Sequence, residues 1–573
     1  MTPGSRESVG DRAVPGPKGT LQNGPGAVAP QPNSALQRSD LTVAALVRAR
    51  AEDDNVGLLY GEQSWTWRQV VAEAAVRAAW LRATLDPARP PHIGVLLPNV
   101  PEFVFQTLGA ALVGACVVGV NPARRGAELA RDIEHTECQF VLADAMYADL
   151  YADVVRVEDQ PWAGYTGAPL PADDPAPSSP MFLLFTSGST SAPKAAVRSQ
   201  ARFARDAATG VSRKDVLYCP MPLTHGNALT ATLFPALGAG AKLVLRDKFS
   251  ATAWLDDVRR YGVTFTSTVG RALSYVLSTP PSEHDRDHRL YVVLAPEASP
   301  RDTAAFSKRF GAAVISGYGS SEGAIVLLPC RKPGALGVAP AGADIVVLDE
   351  AGVECQTAQF DDGGRLTNGE RAIGELVRRN AAGAFEGYWG NPEAEADRLR
   401  DGSFFSGDLA YRDPDGVFWF AGRVGDWLRV DSENFTAAPI ERIIARYHAV
   451  TGTAVVGVPD PLAGDQVLAA VEMVPGHKFD PADFAEFLST QADLGTKWAP
   501  RFVRITPQLP VVGNGKTDKK PLRREAWLCQ DEVWWRPPRA DGYRLMTSQD
   551  RADLHEEFVA HDRIAAYPQP MST

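Results

Sequence analysis

The sequence predicts an α/β protein with a large N-terminal α/β domain and a smaller C-terminal α+β domain. Three observations lead to this prediction. The chain has 573 residues, which is too long for one ordinary hydrophobic core. Helical patterns alternate with short apolar strands in its first part, and a new pattern begins beyond Arg423. The alternation is typical of βαβ units, in which helices cover a largely parallel sheet.

The predicted elements of the first domain follow one another in the order that such a sheet requires. Helical patterns cover 41–51, 67–85 and 128–134, and short apolar strands cover 93–97, 140–143 and 242–245. Strand character rises from 337 to 420, where turn sequences stand at 349–352 and 413–416. This part predicts a small subregion that is either barrel-like or a mixed sheet.

The predicted domains are 41–422 and 423–573. In the second, strands are expected at 454–458 and 467–474 and a helix at 481–491. Residues 1–40 are rich in Pro, Gly, Ser and Asn and lack the apolar core of a secretory signal, so we expect a disordered tail.

The segment 103–120 is almost wholly apolar and about long enough to cross a bilayer. Gly109, Gly114 and Gly119 interrupt it, and its end is rich in β-branched residues. These features favour a buried helix that runs into a buried strand over a membrane span.

Composition argues against collagen-like, disulfide-scaffold and fully disordered proteins. Hydrophobic residues make up 45% and charged residues 22%, which is typical of a globular protein. The net charge of -11 argues against a nucleic-acid partner. The six cysteines have neither zinc-ligand nor disulfide-framework spacing. We expect a cytoplasmic protein; peripheral association with a membrane stays open, and the sequence leaves the oligomeric state unknown.

The sharpest local pattern is an apolar strand, 183–185, that leads into a loop rich in hydroxyl groups and ends at a lysine. Backbone N–H groups, hydroxyl groups and an ammonium group are suited to binding a chain of phosphates. The loop is not a Walker A motif, because the Gly-Lys-Ser/Thr ending is missing. Its candidate ligands are Thr186, Ser187, Gly188, Ser189, Thr190 and Lys194.

Three further patterns follow in the chain. They are Gly317-Tyr318-Gly319-Ser320-Ser321-Glu322 after an apolar strand, Ser406-Gly407-Asp408 with Gly422-Arg423, and Gly513-Asn514-Gly515-Lys516. Together with the phosphate loop, these four ordered motifs resemble those of the adenylate-forming superfamily, which includes acyl-CoA synthetases, luciferases and peptide-synthetase adenylation domains. The resemblance covers roughly residues 41–530.

The resemblance implies a mobile C-terminal lid domain over a cleft and a role for each motif residue. The Tyr318 ring stacks on adenine, the hydroxyl group of Ser321 meets the α-phosphate, and Glu322 holds Mg²⁺. Asp408 binds the ribose hydroxyl groups, with Arg423 close to the hinge. Gly319 and Ser320 complete the nucleotide-binding set, and the catalytic residues are Lys516, Glu322 and Thr186.

Shorter sequences point to one branch of this superfamily. They resemble the fatty acid transport proteins and very-long-chain acyl-CoA synthetases at 249–251, 279–281, 285–288, 309–311, 425–429 and 194–196. Four positions depart from the superfamily pattern, and the mildest is Ser321, which keeps the hydroxyl group of the usual threonine. Ser191 stands where a glycine is usual, Ser432 replaces the glycine of Gly-Glu-Asn, and Gly425 replaces the hinge carboxylate.

The expected activity is therefore that of an AMP-forming acid–thiol ligase, an acyl-CoA synthetase. It converts a fatty acid, of long or very long chain, to acyl-AMP with ATP and Mg²⁺ and passes the acyl group to coenzyme A. Two alternatives stay open at this point: an acyl-AMP ligase that serves a carrier protein, and a fatty-acid uptake or binding protein with weak catalysis.

The acyl pocket is predicted from position alone. His225, Gly226 and Asn227 stand where relatives carry a histidine near the mouth of the pocket. A single histidine also commonly makes a structural hydrogen bond, so both interpretations of His225 stay open.

Overall fold

The computed structural model describes residues 40–569 except 123, 125, 186–193, 297, 331, 363, 365, 425, 426, 431, 432, 463, 492, 496, 512–516, 539 and 541. The strands of its first half are β1 Val56–Tyr60, β2 Gln63–Thr66, β3 His92–Leu96, β4 Cys116–Gly119, β5 Phe140–Ala143, β6 Val154–Arg156, β7 Pro180–Phe185, β8 Ala195–Ser199, β9 Val216–Cys219, β10 Lys242–Leu245, β11 Phe265–Ser267, β12 Val292–Leu294 and β13 Ala313–Ile315.

The later strands are short in the middle of the chain and longer near its end. They are β14 Tyr318–Gly319, β15 Val326–Leu327, β16 Gly337–Val338, β17 Ile345–Leu348, β18 Gly374–Arg378, β19 Leu399–Arg400, β20 Ser403–Arg412, β21 Val417–Arg423, β22 Trp427–Val430, β23 Glu433–Thr436, β24 Val450–Pro459, β25 Asp465–Met473, β26 Phe502–Ile505, β27 Glu532–Trp535 and β28 Arg544–Leu545.

The α-helices surround these sheets. They are α1 Val43–Arg48, α2 Trp67–Thr84, α3 Pro101–Val113, α4 Gly126–His135, α5 Gln200–Asp206, α6 Gly226–Ala228, α7 Phe234–Ala239, α8 Ala251–Tyr261, α9 Gly270–Leu277, α10 Pro300–Phe310, α11 Gly369–Ala372, α12 Pro392–Arg398, α13 Ala437–Ile444, α14 Pro481–Ser489, α15 Lys519–Glu525 and α16 Ser548–Ala560. A π-helical stretch, Leu229–Leu233, joins α6 to α7.

Two largely parallel sheets form the centre of the first domain among the described residues. One has the strand order β13-β12-β11-β9-β10-β1-β2, and the other has β6-β5-β3-β4-β7-β8. Only the edge pairs β1–β2 and β7–β8 in these two sheets are antiparallel. The parallel α/β arrangement predicted from alternating helices and strands is thus confirmed, and strands β5 and β10 have the predicted bounds.

The apolar segment 103–120 forms the buried helix α3 followed by the buried strand β4, as predicted. Gly114 ends the helix with a left-handed conformation, at φ 71°. Helix α3 packs against α2, which begins with a capping box between Thr66 and Gln69. Within the described part of the chain, we find no helix with the length and apolar character needed to cross a membrane.

The strand-rich region after Gly337 forms a third sheet of order β16-β21-β20-β18-β17, with β19 paired to β20. Both predicted turns are present: Gly352 N donates to Asp349 O, and Gly416 N donates to Asp413 O, each at 3.0 Å. The predicted mixed sheet is therefore an antiparallel one with short edge strands.

The C-terminal part contains a hairpin of β22 and β23 and a sheet of order β24-β25-β26-β27-β28. Successive residues of β24 alternate between two cores: Val455 packs with Phe484 of α14 on one face, and Val456 packs with Trp527 and Phe558 on the other. This two-sided burial is the α+β pattern that the sequence predicted. The domain boundaries themselves stay predictions.

The substitution Gly109→Ala tests the close contact of α2 and α3. An alanine normally stabilises a helix relative to glycine by about 1 kcal/mol. Here the added Cβ would lie 2.7 Å from Arg77 Cβ and 2.9 Å from Ala74 O, so we expect a net loss of about 1–3 kcal/mol.

Urea unfolding followed by fluorescence measures this loss. Gly164→Ala is the control, because no atom lies within 4 Å of the added Cβ. Its free energy of unfolding should change by less than about 0.5 kcal/mol. A Gly109→Ala protein as stable as the unmodified one would contradict the close packing.

Candidate active site

The candidate residues follow strands whose carboxyl ends meet at one edge of the two parallel sheets. Segment 186–194 follows β7, segment 225–227 follows β9, and segment 318–322 follows β13. The sheets approach each other at this edge, since a Cβ on Gly119 would lie 3.2 Å from the carbonyl oxygen of Thr224. Ligands of open α/β sheets bind outside the carboxyl ends of the strands.

Tyr318 and Asp408 come together from motifs 90 residues apart. The phenol of Tyr318 donates a hydrogen bond of 2.5 Å to Asp408 Oδ2. Arg423 Nε lies 2.7 Å from Asp408 Oδ1, so an ion pair holds the other oxygen of this carboxylate. Burial and the Asp408 carboxylate raise the pKa of Tyr318 well above its usual value, so the phenol stays a neutral donor.

Asp408 is 6% exposed, and its backbone explains its fixed position. Gly407 has φ 74°, and a Cβ at that residue would collide with the guanidinium of Arg398. Gly407 N donates to Glu375 Oε1 at 2.6 Å, and Asp408 N donates to Ser406 Oγ at 3.1 Å. A glycine is therefore required directly before the carboxylate.

The loop that carries Ser320, Ser321 and Glu322 connects β14 to β15. Three arginines donate hydrogen bonds to its backbone carbonyl groups. Arg198 donates to Ser321 O at 3.2 Å, and Arg378 donates to Ala324 O at 2.8 Å. The third, Arg202, donates to Gly323 O. Ser320 Oγ is buried and has no hydrogen-bond partner among the described residues. Three guanidinium groups thus hold the backbone of this loop, and one of them, Arg198, also forms an ion pair with Asp206 at 2.6 Å.

Glu322 is held by a tyrosine from another part of the chain. Tyr388 Oη donates to Glu322 Oε1 at 2.7 Å, and among the described residues no second donor contacts this carboxylate. Tyr388 precedes α12 by a few residues, and its backbone pairs with Ala196 of β8. The carboxylate of Glu322 therefore lies close to the strand that follows the phosphate loop.

Part of the predicted site lies outside the described residues. Thr186, Ser187, Gly188, Ser189, Thr190 and Lys516 belong to that part, as do Ser191, Gly425 and Ser432. The described residues on either side of the phosphate loop are Phe185 and Lys194. Phe185 ends β7 and pairs with Ala195, the first residue of β8, and Lys194 directly precedes Ala195. Lys194 is half-buried at the start of β8.

His225, Gly226 and Asn227 lie at the start of α6, near the end of β7. A Cβ on Gly226 would lie 3.2 Å from Leu184 Cδ1. Asn227 Oδ1 accepts a hydrogen bond of 2.9 Å from Ser267 Oγ, at the end of β11. His225 is half-buried, and its backbone N–H donates to Pro222 O at 3.0 Å.

Sequence reasoning missed the residues that support the motifs. Tyr388, Arg198, Arg202 and Arg378 contact the loop at 320–324 from separate parts of the chain. One signal was available: Tyr388 and Trp389 stand between Gly387 and Gly390, an aromatic pair in a glycine-bounded turn.

Comparison with known proteins identifies the family. A family model described as AMP-binding enzyme matches residues 46–389, and one described as AMP-binding enzyme C-terminal domain matches residues 439–516. The chain is 46% identical over 545 residues to the steroid-22-oyl-CoA synthetase of Rhodococcus jostii, which covers 91% of this chain and 98% of the relative. It is 41% identical over 510 residues to a medium/long-chain-fatty-acid–CoA ligase of Mycobacterium marinum, and the match covers 87% of this chain and 98% of the relative.

Solved structures share the fold at lower identity. The anthranilate CoA ligase AuaEII in complex with anthranoyl-AMP matches with a TM-score of 0.76 at 19% identity, covering 85% of this chain and 97% of that one. ATP-bound MatB from Rhodopseudomonas palustris matches with a TM-score of 0.73 at 24% identity, covering 84% and 98%. The predicted superfamily is thereby confirmed: the chain belongs to the AMP-binding enzymes and, within them, to the acyl-CoA synthetases, which use ATP to join a carboxylic acid to coenzyme A.

Proposed function

We propose that this enzyme activates a large apolar acid, a medium- or long-chain fatty acid, through a magnesium-dependent acyl-AMP intermediate. Two hydrogen-bonded tyrosine–carboxylate pairs, Tyr318–Asp408 and Tyr388–Glu322, are the observation that supports this chemistry. Both involve the segment 318–322, at the sheet edge where β7 leads into the phosphate loop. One pair suits a nucleoside and the other suits a metal ion.

The nucleoside fits the first pair. Asp408 is a buried carboxylate paired with Arg423, and the two oxygens of a carboxylate can accept further hydrogen bonds, as two ribose hydroxyl groups require. Tyr318 is half-buried beside it, and Gly319 has open space where a Cβ would stand. In this proposal Tyr318 stacks on adenine, and Gly319 leaves room for the nucleotide.

Mg²⁺ fits the second pair. Magnesium in nucleotide enzymes takes one or two carboxylates and completes its shell with phosphate oxygens and water. Glu322 supplies one such carboxylate, and the described residues contain no cluster of three His, Cys, Asp or Glu that would hold a metal without the nucleotide. When bound, the ion would neutralise phosphate charge, so that an anionic acid can approach.

The chain's own residues then serve two half-reactions. The substrate carboxylate attacks the α-phosphorus, the bond to pyrophosphate breaks, and acyl-AMP forms. Lys516 and the loop from Thr186 to Lys194 stabilise the charge that develops on the phosphates, and Ser321 donates to the α-phosphate. The coenzyme A thiol next attacks the acyl carbon, and AMP leaves after the C-terminal domain has rotated.

The class of acid is supported by the surroundings of His225–Asn227. Apolar residues adjoin this segment: Leu229 and Leu233 of the π-helix pack in the hydrophobic core of the first domain, so the elements that follow His225–Asn227 are apolar. Relatives named for medium- and long-chain fatty acids support this class, and the 46% identical relative named for a steroid acid makes a steroid side-chain acid the second candidate. The very-long-chain branch stays a prediction. We place the reaction in the cytoplasm, in accord with six unpaired cysteines.

Pyrophosphate release across a panel of acids tests the proposed substrate. The panel runs from acetate to C24 fatty acids and includes a C22 steroid acid, each with and without coenzyme A. We expect the highest kcat/KM with C8 to C18 acids and a thioester product only with coenzyme A. A preference for acetate or benzoate would contradict the proposed class of acid, and acyl-AMP that never becomes a thioester would indicate a different acceptor.

Replacing Lys516 with alanine tests the adenylation step. The lysine would stabilise charge in the transition state, so its loss should lower kcat for acyl-AMP formation by about 10²–10³-fold. Thioester formation from synthetic acyl-AMP should persist, because the proposed rotation of the C-terminal domain withdraws Lys516 before that step. Lys519→Ala, three residues away, is the control. Adenylation at the original rate in Lys516→Ala would show that this lysine has another role.

Two substitutions of Tyr318 separate its ring from its hydroxyl group. Tyr318→Ala should weaken ATP binding by about 1–3 kcal/mol through lost stacking. Tyr318→Phe keeps the ring but loses the hydrogen bond to Asp408, so a smaller loss of about 0.5–1.5 kcal/mol is expected. Calorimetry with ATP measures both. Equal ATP affinity in all three proteins would make Tyr318 a packing residue.

A further inference from the structure

We infer that Tyr388 is a positioning residue: its hydroxyl group holds the Glu322 carboxylate in the orientation from which that carboxylate binds Mg²⁺ through its other oxygen. This inference rests on the proposed role of Glu322. It adds a residue that none of the four sequence motifs contains and that lies 66 residues further along the chain.

The hydrogen bond is buried and has a fixed direction. Tyr388 is 2% exposed, and its Oη donates to Glu322 Oε1 at 2.7 Å. A phenol hydroxyl group can donate a hydrogen bond, whereas an ionised carboxylate oxygen can only accept one. The phenol is therefore a permanent donor, and it occupies one of the two carboxylate oxygens.

The backbone of Tyr388 is anchored on both sides. Gly387 O accepts from Val197 N at 3.0 Å, and Trp389 N donates to Ala195 O at 2.9 Å. Tyr388 N itself donates to Glu395 Oε1 at 2.7 Å. These bonds fix the ring relative to β8, which begins directly after the phosphate loop.

Glu322, in contrast, lies on a loop and has three rotatable side-chain bonds. Its carboxylate is tied to β8 through the Tyr388 hydroxyl group, so the oxygen offered to the metal keeps one position relative to the phosphates. Residues that orient a metal ligand typically change metal affinity or activity by about 10–100-fold when they are replaced. We expect an effect of this size from the loss of one oxygen atom.

A purely structural role is the competing explanation, and the chain offers a matched control. Tyr218 of β9 is 1% exposed and donates to Asp257 Oδ2 of α8 at 2.8 Å. The same burial and the same kind of hydrogen bond are present there, away from the candidate site. Tyr388→Phe and Tyr218→Phe should therefore lower the thermal midpoint by similar amounts.

The decisive measurement is Mg²⁺ binding to the enzyme–ATP complex, followed by calorimetry, with ATP binding in EDTA measured in parallel. Tyr388→Phe should bind Mg²⁺ about 10–100-fold more weakly. Its ATP affinity in EDTA should change by less than about twofold, and its kcat should recover at high Mg²⁺. Tyr218→Phe should match the unmodified enzyme in both titrations. Unchanged Mg²⁺ affinity in Tyr388→Phe overturns the inference.

Glu322→Gln distinguishes failure of the inference from failure of the proposed function. If Glu322→Gln leaves Mg²⁺ affinity unchanged, Glu322 is not the ligand and both fail. If it weakens Mg²⁺ binding while Tyr388→Phe does not, only the role of Tyr388 is wrong. If Tyr388→Phe does not fold, Glu322→Asp serves instead, because the shorter, half-buried side chain moves the carboxylate away from the Tyr388 hydroxyl group. An Mg²⁺ affinity of Glu322→Asp equal to that of the unmodified enzyme would then overturn the inference.

Discussion

Strand β8 is hydrogen-bonded along both of its edges, and the candidate site depends on this double pairing. One edge pairs with β7, which leads into the phosphate loop, and the other pairs with the segment around Tyr388. The same strand and the helix after it supply Arg198 and Arg202, which hold the loop of Glu322. A shift of β8 by one residue would exchange the faces of all its side chains. A displacement of β8 would therefore also displace the phosphate loop, the segment around Tyr388 and the loop of Glu322.

Three arginines contact the loop of Glu322, and the proposed reaction must overcome repulsion between anions. The proposed reaction brings a carboxylate close to a triphosphate, and both are anions. Arg198 and Arg378 are bound to backbone carbonyl groups, and burial lowers the pKa of each below its usual value. Because they donate to carbonyl groups, these guanidiniums fix the loop. The charge of Arg198 is balanced by Asp206, whereas Lys194 supplies a cation directly before β8.

The sequence predicted those elements whose pattern is local. Helix α2 begins at the predicted residue because Thr66 and Gln69 form a capping box, and β5 and β10 are short apolar runs with clear ends. Tyr318 and Asp408 were found because each carries its own motif, and they are in contact. Tyr388 could not be found in this way. Its position depends on pairing with Ala196, almost 200 residues earlier, and nothing in the local sequence specifies that partner. The residues at 186–190 and Lys516 lie in parts of the chain that the structure does not describe, so their roles rest on the sequence alone.

The C-terminal sheet continues past the last residue that the family models match, Lys516. Strands β27 and β28 extend it beyond β26, and the last of them is only two residues long, with Arg544 paired to Asp550 at its end. A short, charged final strand discourages two sheets from joining edge to edge. A protein shortened to the matched region would leave the N–H and C=O groups of β26 open and would remove Trp527 and Trp535 from its core. Such a fragment would expose an open sheet edge, and we expect it to aggregate more readily than the full chain.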